Sequence, residues 1–237
     1  MMVEEKFYSD RERLVMALAN DCASALQRGI KEHDQATFLV SGGSSPEAVY
    51  RALSKRPLPW KQINVALVDE RWVEPGENGS NHTFIQKSLL QHNAAEAPFL
   101  GMKNAHQSAA AGQSDCERAY AELPRPFDVC LLGMGSDGHT ASLFPHSEGL
   151  EQALDPDAEQ LCRAITAKQS EVTGSHTERM TLSLSAILQS RDIKLLITGD
   201  EKLKVYREAL LGTDELAMPI RSVLRQGRKP VTVYWAP

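Results

Sequence analysis

Residues 37–53 read TFLVSGGSSPEAVYRAL, and this stretch decides the expected fold. A short β-branched and apolar run ends at Gly42 and Gly43, and a helical pattern then opens with Ser45 and Pro46. Glycine permits a tight turn, and proline is favoured in the first turn of a helix. The pattern therefore predicts a strand, a tight loop and a helix in succession.

The same order of elements recurs along the chain. Four more apolar runs are found at 63–71 (INVALVDER), 127–135 (FDVCLLGMG), 193–202 (IKLLITGDEK) and 231–237 (VTVYWAP), and the first three lead into polar or glycine-rich residues. Helical spacing of apolar residues is found at 9–28, where Ser9 is the expected N-cap, and at 83–91, 108–122 and 202–211. Several strand runs are continuously apolar, which is typical of strands covered on both faces. The prediction is an α/β fold with a single doubly wound, mainly parallel sheet and helices on both faces.

Length and composition indicate one globular domain over residues 1–237, since 42% of the residues are hydrophobic and 24% are charged. A further short strand is expected near 162–165, and the segments 73–80, 146–160 and 168–178 are expected to be loops or lids.

Lys and Arg number 26 against 31 Asp and Glu, and the net charge of -5 offers no general attraction for nucleic acid. Any bound anion therefore needs a local site.

The cysteines show neither a C-x-x-C pair nor a zinc-type cluster with histidine; they are Cys22, Cys116, Cys130 and Cys162. We therefore expect a reduced, cytoplasmic setting, no metal and no cofactor. The opening residues MMVEEKFYSDRERLV have mixed charge rather than the apolar stretch of a signal peptide. No run approaches the roughly 20 apolar residues of a membrane span, so no membrane partner is expected.

A phosphate site is the first candidate. In open parallel sheets, ligands bind outside the carboxyl ends of the strands, where successive loops converge. The loop Ser41-Gly42-Gly43-Ser44 allows close backbone approach, and the following helix offers unpaired N–H groups to an anion. Lys202 begins another helix after a strand and could add a full positive charge. The alternatives are a plain strand-to-helix turn and a solvated surface lysine.

The segment Gly133–His139 reads GMGSDGH and contains a literal G-x-G-x-x-G. A dinucleotide fingerprint is rejected, because no helix follows the glycines directly and Pro145 leads into a polar loop. We expect a loop that places Asp137 and His139 two residues apart. Histidine exchanges protons near neutral pH, and a carboxylate can fix its tautomer. His139 is therefore the predicted general base.

A third group of charged residues follows the run INVALV. Arg71 could bind phosphate or stabilise an oxyanion, whereas the alternative is a salt bridge to Asp69 or Glu70. Arg179 is a second candidate anion ligand, with a helix-flanking surface charge as its alternative. Ser80 and the Asn81 that follows it are expected simply to cap a helix.

The remaining histidines are expected to be structural or exposed; they are His33, His82, His92, His106, His146 and His176. No G-x-S-x-G elbow supports a serine nucleophile. Water activated by His139 is the simplest nucleophile left.

The motifs together resemble those of the 6-phosphogluconolactonases. In order they are SGGSSPEAVYRAL, VDERWV followed by SN, LLGMGSDGHTASLFP, RMTLSLSAI and ITGDEK, within roughly residues 37–224. The related glucosamine-6-phosphate deaminases share D-G-H but continue with a glutamate-bearing segment, whereas here Leu143-Phe144-Pro145 follows. One departure is Ser136, which stands where proline is frequent in the family.

The resemblance implies a single α/β domain similar to glucosamine-6-phosphate deaminase and a catalytic histidine, here His139. It also implies a phosphate site, which carries over to Ser41, Gly42, Gly43, Ser44, Lys202, Arg71 and Arg179. The expected partner is a small phosphosugar lactone, 6-phospho-D-glucono-1,5-lactone, hydrolysed to 6-phospho-D-gluconate. Two rivals remain: a phosphosugar isomerase or deaminase with Asp69 as the base at C2, and a non-catalytic sugar-phosphate sensor. The oligomeric state stays open.

Overall fold

A computed structural model describes residues 2–237. A seven-stranded sheet forms the centre, and all its strand pairs are parallel. Its strands, in spatial order, are β1 (Val3–Phe7), β10 (Val231–Ala236), β9 (Ser190–Thr198), β6 (Phe127–Gly133), β2 (Ala36–Val40), β3 (Ile63–Leu67) and β5 (Phe99–Leu100). The doubly wound, mainly parallel prediction is confirmed.

Helices connect and cover these strands. They are α1 (Arg11–His33), α2 (Glu47–Ser54), α3 (Asn81–Ser88), α4 (Ala109–Ala121), α5 (Leu150–Ala153), α6 (Leu184–Ile187), α7 (Asp200–Leu211) and α8 (Ile220–Arg225), with 3-10 turns at Trp60–Gln62 and His92–Glu96. The five residues of β2 are all buried, and α1 packs against β2 and β6. Continuous apolar strand runs therefore correspond to strands with no solvent face. Within residues 2–237, no helix has the length and apolar character that a membrane crossing requires.

A second, three-stranded antiparallel sheet was not predicted. It contains β4 (Asp69–Arg71), β8 (Glu178–Leu182) and β7 (Cys162–Thr166), in the order β4-β8-β7. The run expected as one strand at 63–71 divides at Val68, whose N–H still bonds to Val40 O at 2.9 Å before the chain turns into β4. The short charged β4 and the mixed sequence of β8 lack the long apolar runs that marked the other strands.

Two helix boundaries also differ from expectation. The prediction of Ser9 as N-cap of α1 was wrong: Asp10 is the cap, because its Oδ1 accepts from Arg13 N at 2.8 Å, and Ser9 Oγ only donates to the Asp10 carboxylate. The helix expected to open with Ser45 and Pro46 begins at Glu47, after Pro46. The expected cap Ser80 is correct, since its side chain accepts from Thr83 N at the start of α3.

Candidate active site

A cavity of about 240 Å³ opens where the carboxyl ends of β2, β6 and β9 meet the face of the small sheet. Every predicted site residue except Asp137 lines it. The lining comprises Ser41, Gly42, Gly43, Ser44, Ser45, Pro46, Asp69, Arg71, Asn81, Gly133, Met134, Gly135, His139, Ala141, Phe144, Val172, Arg179, Leu196, Ile197 and Lys202. Loops far apart in sequence therefore meet at one place.

His139 lies in the turn after β6 and is oriented by Asp137. Its Nδ1 is 2.6 Å from Asp137 Oδ1, and the same oxygen accepts the His139 backbone N–H at 3.0 Å. Burial acts to raise the pKa of Asp137, but hydrogen bonding to His139 and the histidine charge outweigh it, so that pKa lies below its usual value. An ionised Asp137 holds the proton of the neutral ring on Nδ1, which leaves Nε2 as the basic nitrogen.

Glycines make this turn possible. Gly138 has a φ of 77°, a conformation that side-chain-bearing residues rarely adopt. A Cβ on Gly135 would lie 2.0 Å from His139 Nδ1, so only glycine lets the imidazole lie against the backbone there. The chain then places Phe144 beneath the histidine, with ring centroids 4.4 Å apart. The imidazole is held by a carboxylate on one side and an aromatic ring on the other.

The loop after β2 presents unpaired polar groups to the cavity. Ser41 Oγ is buried and makes no hydrogen bond within the described chain. Among residues 2–237, no hydrogen bond uses the backbone N–H groups of the segment 42–45, whereas Ser41 N–H donates to Tyr50 Oη. Gly43 has a φ of 92°, which favours glycine, and a Cβ built on it would have no neighbouring atom within 4 Å, so the loop is open to a ligand at this point. Such a loop, followed directly by α2, is a ready anion cradle.

Lys202 lies in the first turn of α7 and reaches the cavity from the opposite loop. Its ammonium donates to Met134 O. Burial lowers the pKa of Lys202, whereas the charges of Asp137 and Glu201 act in the opposite direction. No carboxylate of the described chain lies within 4.0 Å of its Nζ, so Lys202 has a positive charge to offer a ligand.

The small sheet contributes two arginines that face each other. Arg71 of β4 and Arg179 of β8 are directly paired across the antiparallel ladder, and both line the cavity. Arg71 Nη1 donates to Gly79 O at 2.6 Å and to Asn81 Oδ1 at 3.1 Å. The salt bridge to Asp69 or Glu70 that was the alternative reading of Arg71 does not form.

Arg179 is buried, with 3% of its surface exposed, which excludes the surface-charge reading. Its Nε and Nη2 donate to backbone carbonyls of the loop before β8, at His176 and Thr173, over 2.7 and 2.8 Å. The guanidinium carbon lies 5.0 Å from the Phe144 ring centroid. Burial lowers the pKa of Arg179 to about 10, so the guanidinium stays charged at neutral pH.

These arginines have only neutral hydrogen-bond acceptors in the part of the chain that the structure describes. Like charges directly opposite each other on an antiparallel pair destabilise it. Burying a charged guanidinium is also costly, and the negative charges of Asp69 and Glu70 offset only part of that cost for Arg179. An anion bound between Arg71 and Arg179 would lower both costs.

The acidic residues of β4 bind protein groups rather than the arginines. Asp69 Oδ2 accepts from Ser142 Oγ at 2.6 Å, and its Oδ1 accepts from Asn81 Nδ2 at 3.2 Å. Glu70 is fully buried and accepts the N–H groups of Arg71, Asn81 and His82. Burial raises the pKa of Glu70 to about 7, and the backbone donors oppose that effect.

Sequence reasoning missed several residues of the site. Asn81 was assigned only to helix capping, although its side chain bridges Asp69 and Arg71. Ser142 and Phe144 were quoted within the D-G-H segment without any role. Of the histidines set aside, none lines the cavity, although the His176 carbonyl binds Arg179. No group of three or more His, Cys, Asp or Glu in residues 2–237 is arranged to hold a metal ion.

Comparison with known proteins places the chain in a family. Residues 9–235 match the family model described as glucosamine-6-phosphate isomerases/6-phosphogluconolactonase. The chain belongs to this family. A 6-phosphogluconolactonase of Rhizobium meliloti (strain 1021) is 38% identical over 237 residues, covering 100% of both chains. A second relative with that name, from Pseudomonas aeruginosa, is 41% identical over 223 residues, covering 93% of this chain and 89% of the other.

Solved structures of the glucosamine-6-phosphate isomerase/6-phosphogluconolactonase family share the architecture. A 6-phosphogluconolactonase from Shewanella baltica OS155 superposes with a TM-score of 0.93 at 42% identity, covering 99% of this chain and 98% of the other. A monomeric glucosamine-6-phosphate deaminase superposes with a TM-score of 0.79 at 20% identity over 98% and 97% of the two chains, a likeness of fold alone. The expected similarity to the deaminase fold is therefore confirmed.

Proposed function

We propose that this chain hydrolyses 6-phospho-D-glucono-1,5-lactone to 6-phospho-D-gluconate, with His139 as general base. The single observation that carries the proposal is the His139–Asp137 pair, 2.6 Å apart, in a cavity whose other charged groups suit a phosphate. The relatives named above carry the lactonase name, which supports the substrate class.

The phosphate is proposed to bind the segment 41–44, Lys202 and the paired arginines. The loop offers unpaired N–H groups and Ser41 Oγ, and the cations have no carboxylate partner within the described chain. Charge-assisted hydrogen bonds from Lys and Arg are the strong contacts for phosphate. Anchoring the phosphate orients C1 of the lactone toward His139, and this positioning lowers the barrier to attack.

The chemical step follows from the orientation of the imidazole. Asp137 holds the proton on Nδ1, and no hydrogen bond of residues 2–237 uses His139 Nε2, which can therefore accept a proton from water. As that water attacks the C1 carbonyl, negative charge develops on the carbonyl oxygen, and backbone N–H groups that the phosphate does not use stabilise it. The bond from C1 to the ring oxygen then breaks, and the imidazolium returns the proton to that oxygen.

The isomerase or deaminase alternative needs a carboxylate base at C2. Asp69 lines the cavity, but each of its oxygens already accepts a hydrogen bond, from Ser142 and from Asn81. Both oxygens are therefore engaged by protein groups rather than left free for a substrate proton. A non-catalytic sensor would bind the phosphate without needing the His139–Asp137 pair.

The test is a lactonase assay on freshly generated 6-phosphogluconolactone, with the spontaneous hydrolysis rate subtracted. We expect turnover of the phosphorylated lactone, weak turnover of unphosphorylated gluconolactone and full activity after dialysis against a chelator. Equal turnover of both lactones would contradict the phosphate assignment. Absence of turnover above background, with binding of 6-phosphogluconate retained, would instead favour the sensor.

A further inference from the structure

Asn81 holds a position in the cavity that helix capping does not account for. It is the first residue of α3, but the capping side chain is that of Ser80. Asn81 itself is 3% exposed and lines the cavity. Its amide points away from the helix, toward Asp69 and Arg71.

The amide bridges two opposite charges. Nδ2 donates to Asp69 O at 2.8 Å and to Asp69 Oδ1 at 3.2 Å, and Oδ1 accepts from Arg71 Nη1 at 3.1 Å. If the amide were reversed, its NH₂ group would face the guanidinium and its oxygen would face the carboxylate. Neither pair could form a hydrogen bond, so the two neighbours fix the orientation of the amide. An amide supplies a donor and an acceptor together without carrying a charge.

Two further contacts fix the place of Asn81. Its backbone N–H donates to the buried Glu70 carboxylate at 2.7 Å, which ties α3 to β4. On the other side, a Cβ on Gly42 would lie 2.0 Å from Asn81 Oδ1, so the anion loop approaches the amide as closely as a glycine allows. Asn81 therefore connects the loop after β2 with the arginine of the small sheet.

We propose that Asn81 is a positioning residue that keeps Arg71 and Asp69 from pairing, so that the charge of Arg71 stays available to the phosphate of the substrate. A carboxylate in direct contact with Arg71 would neutralise the guanidinium and compete with the incoming anion. The neutral amide orients both groups and adds no charge. This inference rests on the proposed function only in naming the anion as the phosphate of the substrate.

The test compares Asn81→Asp with Asn81→Ala in the full chain, using inorganic phosphate as the probe in calorimetric titration. Asn81→Asp keeps the shape and the contact with Arg71 but adds a carboxylate. Asn81→Ala removes both contacts and adds no charge. We expect the Kd for phosphate to rise at least about tenfold in Asn81→Asp, since loss of the hydrogen bond between charged Arg71 and the phosphate is of that order. The Kd should also rise in Asn81→Ala, where Arg71 can turn to Asp69, but by less, because no carboxylate is held against Arg71. In the lactonase assay, KM should rise more than kcat falls.

A merely structural role would make phosphate affinity follow the folding stability of each variant. In Asn81→Asp, one carboxylate oxygen would face Asp69 O and Oδ1, where Nδ2 now donates, so this variant should also be less stable than wild type. Changing Asp69 to Asn as well removes that repulsion and keeps the carboxylate on Arg71. A phosphate Kd within twofold of wild type in Asn81→Asp, or wild-type affinity that returns together with stability in the double variant, would overturn the proposal.

Asn20→Asp is the matched control. Asn20 Oδ1 accepts from Arg56 Nη2 at 2.5 Å on the exposed face of α1, so this variant creates the same Asp–Arg pair outside the cavity. Its phosphate affinity should stay at the wild-type value. A loss equal to that of Asn81→Asp would show that added negative charge alone weakens binding, and would overturn the proposal.

A double exchange covers the case in which Asn81→Asp fails to fold. Asp69→Asn with Asn81→Asp restores one donor, one acceptor and the net charge between the two positions, but leaves the carboxylate on Arg71. This variant should fold and still bind phosphate weakly. Wild-type phosphate affinity in the double variant would refute the inference, whether or not the chain is a lactonase.

Discussion

The large parallel sheet and the small antiparallel sheet supply different kinds of functional group to one cavity. The elements that follow strands of the large sheet contribute the unpaired N–H groups of 42–45, the His139 turn and Lys202 at the start of α7. The small sheet contributes the strand residues Arg71 and Arg179. Residues on regular strands are held more rigidly than residues on loops. We propose that Arg71 and Arg179 form an anion clamp on these strands, beside the 42–45 loop and Lys202, while a glycine-shaped loop presents the base.

The largest effect should follow from removing the base. His139→Asn keeps a similar size and some hydrogen bonding, and general acid–base catalysis contributes about 10² to 10⁴-fold, so kcat should fall by that factor. Affinity for 6-phosphogluconate should change little, because the anion ligands are intact. Steady-state kinetics and calorimetry on the same preparation separate the two effects.

His106→Asn is the control for that change, because His106 Nε2 also lies near a carboxylate, 3.1 Å from Asp115 Oδ2, but outside the cavity. It should retain wild-type kcat. Near wild-type lactonase activity in His139→Asn would reduce His139 to a residue that stabilises its loop. The loop that contains His139 would then not supply the base, whatever the arginines do.

The second effect tests the clamp. Arg179→Met removes a buried charge, and losing charge-assisted contacts of about 1.5–3 kcal/mol should weaken phosphate binding by roughly 10- to 100-fold. KM should rise more than kcat falls. Arg179→Lys keeps the charge but loses the planar fork that reaches the His176 and Thr173 carbonyls. Its phosphate affinity should lie between those of wild type and Arg179→Met.

Arg163→Met is matched to this change, because Arg163 lies on β7 of the same sheet but does not line the cavity. It should leave phosphate affinity unchanged. If Arg179→Met and Arg163→Met weaken phosphate binding equally, the small sheet acts only as a scaffold.

A smaller effect is expected at Lys202. Its ammonium is a flexible, partly exposed point charge that already donates to Met134 O, so Lys202→Ala should raise KM by roughly tenfold and lower kcat less. Lys204→Ala, an exposed lysine of the same helix, provides the comparison. A fall in kcat with unchanged KM would indicate that Lys202 acts on the reacting atoms rather than on the phosphate.

The two sheets also differ in what sequence alone reveals. Parallel strands buried on both faces are continuous apolar runs, so the strand ends and the loops at 41–44 and 133–139 could be located from the sequence. The small sheet has no such signal: β4 consists of Asp69, Glu70 and Arg71. Its pairing with β8 depends on contacts between residues about a hundred positions apart, which no local pattern encodes.

The roles of single residues show the same limit. His139 and Asp137 are two residues apart, so their interaction was expected from the sequence. Asn81 acts through Asp69 and Arg71 on another element, and its place after Ser80 resembles an ordinary helix start. Arg179 and Arg71 each had an ordinary surface or salt-bridge interpretation, and only the register of the two strands brings them face to face.

The smallest effect concerns stability rather than rate, and it tests whether the base loop is held electrostatically. Hydrogen bonding and charge from His139 outweigh burial and lower the pKa of Asp137 in the folded state, relative to about 3.9 for an unfolded chain. A carboxyl group with a depressed folded pKa stabilises the protein above its unfolded pKa and loses that contribution as pH falls through the folded value. Asp137→Asn cannot titrate. The difference in free energy of unfolding between wild type and Asp137→Asn should therefore favour wild type near pH 5 and shrink below about pH 3.9. Urea denaturation at several pH values measures this difference, and a gap that stays constant down to pH 3 would show that Asp137 orients His139 without stabilising the loop through its charge.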